Sequence, residues 1–300
     1  MSRASGRRRV GWSIGILLVV SFTSWALIHG WRRIAAYNWN LSAAWLAFGV
    51  LLVLTAFAGT GLGYHSLVCR LQPTAAPSSL ATVSVWARSM LGRYVPGSVL
   101  MVVGRLELGL RLGIARRTSL AASLYEQIFG FALAGVGGVI FLASGAGRAD
   151  GAWAALLAPL LLAVLHPRIF GPASSWGLAK LKREPLDALL SERAVTGFIG
   201  WYAGTTLLMS AGVWALVHSA APTSGSILVV GGAYQLSVVL GTLAIVVPAG
   251  IGVREVALAV ALTSRLGADV AAVVAIALRV VLTALEVLFV GVVALVVARR

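Results

Sequence analysis

Val247-Pro248-Ala249-Gly250-Ile251-Gly252-Val253-Arg254-Glu255 cuts through an apolar stretch that runs from about residue 226 to 265. Proline lacks an amide hydrogen and glycine loosens the backbone, so a helix cannot run smoothly through this segment, and the backbone groups it frees find no partner in lipid. The break must face protein or a wet cavity. A second apolar stretch, about 79 to 112, is interrupted in the same way at Pro96-Gly97. The arms on either side of each break are uneven or short for two full crossings of a hydrocarbon core about 30 Å thick, which predicts re-entrant hairpins that enter and leave on one side.

Composition sets the medium in which these breaks must be read. The 300 residues are 59% apolar and only 11% charged, with a mean hydropathy of +0.94. That balance excludes an ordinary water-soluble fold and predicts an integral membrane protein. The net charge of +15, from 24 basic and nine acidic residues, would fit a nucleic-acid binder if the basic residues clustered. Here they punctuate long apolar runs, so no nucleic-acid partner is expected.

Parsed by length, the chain gives six transmembrane helices, at about 10–30, 41–68, 116–143, 152–166, 194–218 and 270–298. The first follows Arg7-Arg8-Arg9 and lacks a small-x-small cleavage site, which predicts a retained signal anchor. Counting Arg and Lys between spans puts both termini, Arg116, Arg117 and a loop of about 167–193 on the richly basic side. Under the positive-inside rule that side is cytoplasmic. The first hairpin then opens to the cytoplasm and the second to the outside.

This parse contains a repeat. Span, broken hairpin and span occur at about 41–143 and again at 194–298, in opposite orientation. Pro96, then Arg105 and Glu107, then Leu112-Gly113, then Glu126 have counterparts in Pro248, then Arg254 and Glu255, then Leu266-Gly267, then Arg279 and Glu286. The fold expected is therefore all-α, a single membrane domain over 1–300 with six spans and two re-entrant hairpins arranged as an inverted repeat. Inverted repeats with breaks at matching positions mark alternating-access carriers, with the site where the breaks meet.

No GxSxG elbow, phosphate-binding P-loop or HExxH helix is present in the sequence, so no catalytic residue, metal or cofactor is assigned and an enzyme is not expected. Cys69 is the single cysteine, and His29, His65, His166 and His218 are far apart in the chain. The chemistry instead lies in charges placed within apolar stretches. An ionised side chain at the bilayer centre costs about 2.5–3.5 kcal/mol on insertion scales. Glu126, Arg254, Glu255, Arg279 and Glu286 share that position, and with Arg105 they form the candidate headgroup site.

Arg254 and Glu255 are adjacent, diverge by about 100° on a helix, and so each needs a partner elsewhere. Arg279, Thr283 and Glu286 make a polar stripe on the last span, and Ser119, Ser123, Glu126 and Gly130 make one on the third. Two readings stay open: buried ion pairs that lock helix packing, or a pocket for an anionic headgroup. Pro96, Gly97, Pro248, Gly250 and Gly252 supply the helix breaks, and Arg88 with Arg93 form a candidate funnel leading to the site. Gly59-x-x-x-Gly63 is read as a close helix contact.

Gly92-Arg93-Tyr94-Val95-Pro96-Gly97, Gly104-Arg105, Leu112-Gly113 and Tyr125-Glu126 resemble the first half of the lysylphosphatidylglycerol synthase transmembrane-region family. The run from Val247 to Glu255, with Arg279 downstream, resembles its second signature. The resemblance implies a flippase-like membrane unit of a bacterial plasma membrane, with Pro96, Arg105, Glu126, Pro248, Gly250, Gly252, Arg254, Glu255 and Arg279 as its functional positions. Some relatives fuse this unit to an aminoacyl-transferase. The loop at 167–193 is too short for such a domain, so that activity is not carried over. The expected function is movement of an anionic phospholipid or polyprenyl-phosphate-linked lipid between leaflets. The alternative is a scaffold that presents lipid to an envelope glycosyltransferase partner.

Overall fold

The structure, a computed structural model, describes residues 39–73, 77–94, 99–145, 190–244 and 247–299, together with Ala35 and Tyr37. The expected spans at 10–30 and 152–166, most of the 167–193 loop, and Pro96 with Gly97 lie outside the described residues. Every regular element among the described residues is helical. In chain order these are α1 (Ala43–Leu71), α2 (Ser79–Met90), α3 (Val99–Leu110), α4 (Arg116–Gly145), α5 (Glu192–Ala220), α6 (Ile227–Leu243), α7 (Val253–Leu266) and α8 (Ala268–Ala298). Short 3-10 turns at Leu91–Tyr94 and Pro248–Gly250 follow α2 and precede α7.

The order long, short, short, long thus occurs twice. Both short pairs fall on the stretches expected to be broken. Local chemistry explains the boundaries. Ser78 and Ser191 accept the Ala81 and Ala194 amides at the starts of α2 and α5, occupying donors that a helix start leaves bare. Leu112-Gly113 and Leu266-Gly267 end the second arm of each pair, and both glycines have φ of 76°. Few side chains tolerate that conformation, so glycine is the residue that lets the chain turn from each hairpin into the following long helix.

Three helices, α1, Arg116–Ala143 within α4, and α8, are long and apolar enough to cross a membrane. Helix α5 has 29 residues, about 44 Å at 1.5 Å per residue. Its inward face carries Thr205 and Ser210, which lower its hydropathy. Leu51, Leu207, Val260 and Leu295 are each more than half exposed. Large aliphatic side chains on the outer surfaces of several helices suit hydrocarbon better than water.

Helices α1 and α5 pack against one another and run antiparallel. Ser42 donates to Ser219 O at 2.9 Å near one end, and Trp201 Nε1 donates to Gly59 O at 2.9 Å farther along. Between these points the backbones nearly touch. A Cβ on Gly49 would lie 2.9 Å from Leu216 N, and one on Gly212 would lie 2.8 Å from Val53 Cγ2. Gly59 and Gly63 face Thr205 and Trp201 at similar spacing, as expected of the GxxxG reading. Gly212→Val should cost about 1–3 kcal/mol by overpacking this crossing. The check is the unfolding midpoint in detergent, and an unchanged midpoint would contradict the spacing.

Two further helix pairs also pack antiparallel. Helix α4 packs antiparallel on α6, with Gly137 and Gly138 against Gln235 and Leu236, and Gly232 against Phe141. Helix α8 packs antiparallel on α2, where Trp86 meets Phe289 edge-on, and the turn after α2 brings Arg93 to Glu286. Consequently the turn at Leu91–Tyr94 comes into contact with the turn at Pro248–Gly250.

Candidate functional site

The second break is held open by a notch in α6. Gly250 has φ of 65°, and a Cβ there would meet Gly241 Cα at 2.6 Å, so both position and conformation demand glycine. Ala249 also has positive φ, at 50°, a conformation that costs energy for a residue with a Cβ. Gly252 begins α7, and its amide donates to Glu255 Oε2. This is half of a capping box, and it fixes the glutamate at the helix start. The side chain of Arg254 leaves α7 across the same notch, where a Cβ on Gly241 would collide with its aliphatic arm.

Around this break the charges sort themselves into pairs with one left over. Arg93 Nη1 lies 3.2 Å from Glu286 Oε1, and Tyr94 OH donates to Glu286 Oε2 at 2.8 Å. Arg279 Nε lies 3.3 Å from Glu255 Oε1, and its guanidinium stands 5.7 Å from the Tyr94 ring centroid. Arg254 has no carboxylate within pairing distance among the described residues, and its buried Nε lacks a hydrogen-bond acceptor, as does Arg279 Nη2. Arg93, Arg279, Tyr234 and Glu286 are all close enough to Arg254 to act on it electrostatically. The adjacent Arg254 and Glu255 therefore do look elsewhere, but only the glutamate finds an opposite charge.

Arg105 and Glu126 stand apart as a closed unit. Arg105 is 1% exposed. Its Nη1 and Nη2 donate to the two oxygens of Glu126 at 2.8 and 3.0 Å, and its Nε donates to Ser89 Oγ at 3.1 Å. Trp86 Nε1 adds a 3.0 Å bond to Glu126 Oε1, and the Tyr64 ring lies 4.8 Å from the guanidinium carbon. Each guanidinium nitrogen has an acceptor, which is the arrangement of a packing element rather than a vacant anion site. Ser119 and Ser123, on the same stripe of α4 as Glu126, are also buried.

Of the residues singled out from sequence, Arg254, Glu255, Arg279 and Glu286 gather at one place with Pro248, Gly250 and Gly252, whereas Arg105 and Glu126 form the neighbouring sealed pair. Arg88 is exposed. Arg93 is not beside it in a funnel: its side chain is 26% exposed and paired with Glu286, so it belongs to the inner cluster. Tyr94, Tyr234 and the notch at Gly241 were not assigned from sequence. Tyr94 carries a signal in being next to Arg93 just before the first break, while Gly241 is one small residue among many on an apolar helix.

An apolar groove of about 650 Å³ lies on the outer surface beside the start of α7. Leu142 of α4, Leu240 of α6, and Val256 and Val260 of α7 line it, and it extends to Gly252. None of the charged residues of the cluster lines it. No group of His, Cys, Asp or Glu suited to holding a metal occurs among the described residues. No protein-family model matches the chain, and no curated protein matches it.

Proposed function

We propose that this chain is a lipid transporter of the plasma membrane that moves an anionic phospholipid or polyprenyl-phosphate-linked lipid between leaflets. The observation that carries the reading is Arg254, a guanidinium held in a mostly buried cluster at the meeting of two helix breaks, without a carboxylate of its own. An uncompensated charge in such surroundings is costly, and packing gives no reason to keep it. A phosphate oxygen supplies the missing acceptor, for which the forked guanidinium is well shaped.

Two further features favour a lipid cargo and a transport cycle. The apolar groove ending at Gly252 gives an acyl or prenyl tail a path beside the headgroup site. Antiparallel packing of α1 on α5, and of both α4 on α6 and α8 on α2, is what two inverted copies related by an approximate two-fold axis would produce. In this reading the membrane holds six spans and two re-entrant hairpins, with both termini cytoplasmic. The two copies exchange which hairpin admits the headgroup, and differential affinity between the two states sets any direction.

The test uses purified protein in vesicles containing a headgroup-labelled anionic lipid, with label in the inner leaflet protected from a membrane-impermeant quencher. Protein-dependent loss of protection is expected. If protection is unchanged across phospholipid and polyprenyl-phosphate probes while a glycosyltransferase co-purifies, the scaffold reading replaces this one.

A further inference from the structure

We propose that the site takes a headgroup bearing one negative charge, which selects a phosphodiester lipid over a phosphomonoester or diphosphate. This rests on the lipid-transport reading and narrows its substrate class. Arg93, Arg254 and Arg279 bring three positive charges, and Glu255 and Glu286 bring two negative ones. Among the described residues the difference is +1. The nearest other pair, Arg105 with Glu126, is closed on itself and adds nothing. Tyr94, Tyr234 and Thr283 complete the surroundings with neutral hydroxyls.

Charge balance matters in this cluster, whose paired side chains are 8–26% exposed, because a residual charge there is screened less than at the surface. A monoanion bound at Arg254 brings the site to zero. A neutral or zwitterionic lipid leaves the surplus uncompensated, and a dianion inverts it. A phosphodiester carries a single charge, whereas a phosphomonoester with a second pKa near 6 carries about −1.5 to −2 at pH 7. The donors point the same way. Arg254 Nε and Arg279 Nη2 are two buried donors without acceptors, against one buried carboxylate oxygen, Glu255 Oε1, that accepts no hydrogen bond, so donors are in surplus.

The experiment places the full chain in phosphatidylcholine nanodiscs doped with equal amounts of phosphatidylglycerol and phosphatidate at about pH 8. Lipid retained on the protein is read by native mass spectrometry. The wild type should retain phosphatidylglycerol over phosphatidate by about tenfold or more, given the cost of an unbalanced buried charge. Glu286→Gln and, independently, Glu255→Gln raise the surplus to +2 and should shift the preference towards phosphatidate by a similar factor. Two separate positions guard against one variant failing to fold.

Equal retention of the two anionic lipids, or a preference unmoved in both folded variants, overturns the charge match while leaving the anionic-lipid reading standing. Retention of neither above phosphatidylcholine overturns that reading itself. Dimethyl phosphate, a soluble monoanion of the same headgroup chemistry, should compete weakly. If it displaces phosphatidylglycerol at equal concentration, the site serves a free anion and the lipid assignment fails.

Discussion

Arg254→Gln should abolish most lipid movement in vesicles without destabilising the protein. Hydrogen bonds to charged groups contribute about 1.5–3 kcal/mol, so losing the guanidinium that has no carboxylate partner among the described residues should lower headgroup affinity about 10- to 150-fold. Transport at lipid levels below saturation should fall by a similar factor. Stability should move the other way. With Arg254 neutral, Arg93–Glu286 and Arg279–Glu255 are left as two balanced pairs, and the cost of an unpaired charge is gone. The unfolding midpoint is therefore expected to stay level or rise. Arg254→Lys keeps the charge but not the fork, and should fall between wild type and glutamine. Initial transport rates and detergent melting curves on the same preparations measure both effects. A normal rate in Arg254→Gln would remove the residue from the transport path, and a sharp drop in midpoint would make it a packing residue.

The helical scaffold was largely legible before any coordinates, because length and hydropathy act residue by residue. The spans expected at 41–68, 116–143, 194–218 and 270–298 correspond to α1, α4, α5 and α8 within a few residues. The broken stretches at 79–112 and 226–265 hold two short helices each, α2 with α3 and α6 with α7. Proline and glycine mark such breaks locally. Charge pairing is a different matter, since it depends on which helices touch. Glu286 pairs with Arg93, 193 positions away, and no spacing rule connects the two. The adjacency argument for Arg254 and Glu255 worked because it concerned one turn of one helix. It could say that each must look elsewhere, but not that Arg254 would find no carboxylate. Nor could it say that Arg105 would turn both Nη1 and Nη2 to Glu126 and so stand apart from the cluster around Arg254. Gly241 was invisible for the same reason: its notch has meaning only once Gly250 and Arg254 lie against it.

The division between the open cluster and the closed pair leads to the second large effect. Glu126→Ala should leave the guanidinium of Arg105, 1% exposed, without its counter-charge. Breaking a buried pair from one side costs about 3–5 kcal/mol, a large share of the roughly 5–15 kcal/mol that holds an ordinary domain together. Little folded protein should survive purification, and Arg105→Met should do nearly the same by stranding the carboxylate. The double variant Arg105→Met with Glu126→Met removes both charges and fills similar space, so it should recover much of the loss. Recovery should be incomplete, because Trp86 Nε1 loses its acceptor. An orphaned buried donor costs about 1–3 kcal/mol. Yield of monodisperse protein and the unfolding midpoint across the four members of this cycle give the coupling between the two residues. The decisive reading is transport by the recovered double variant. Because Arg105 donates all of its directed hydrogen bonds to Glu126 and Ser89, the pair positions α3 against α4 without touching cargo. Folded double variant should then move lipid at a rate near wild type per molecule. A double variant that folds and is inert would mean that this pair opens during the cycle and that its arginine meets the headgroup in a second state.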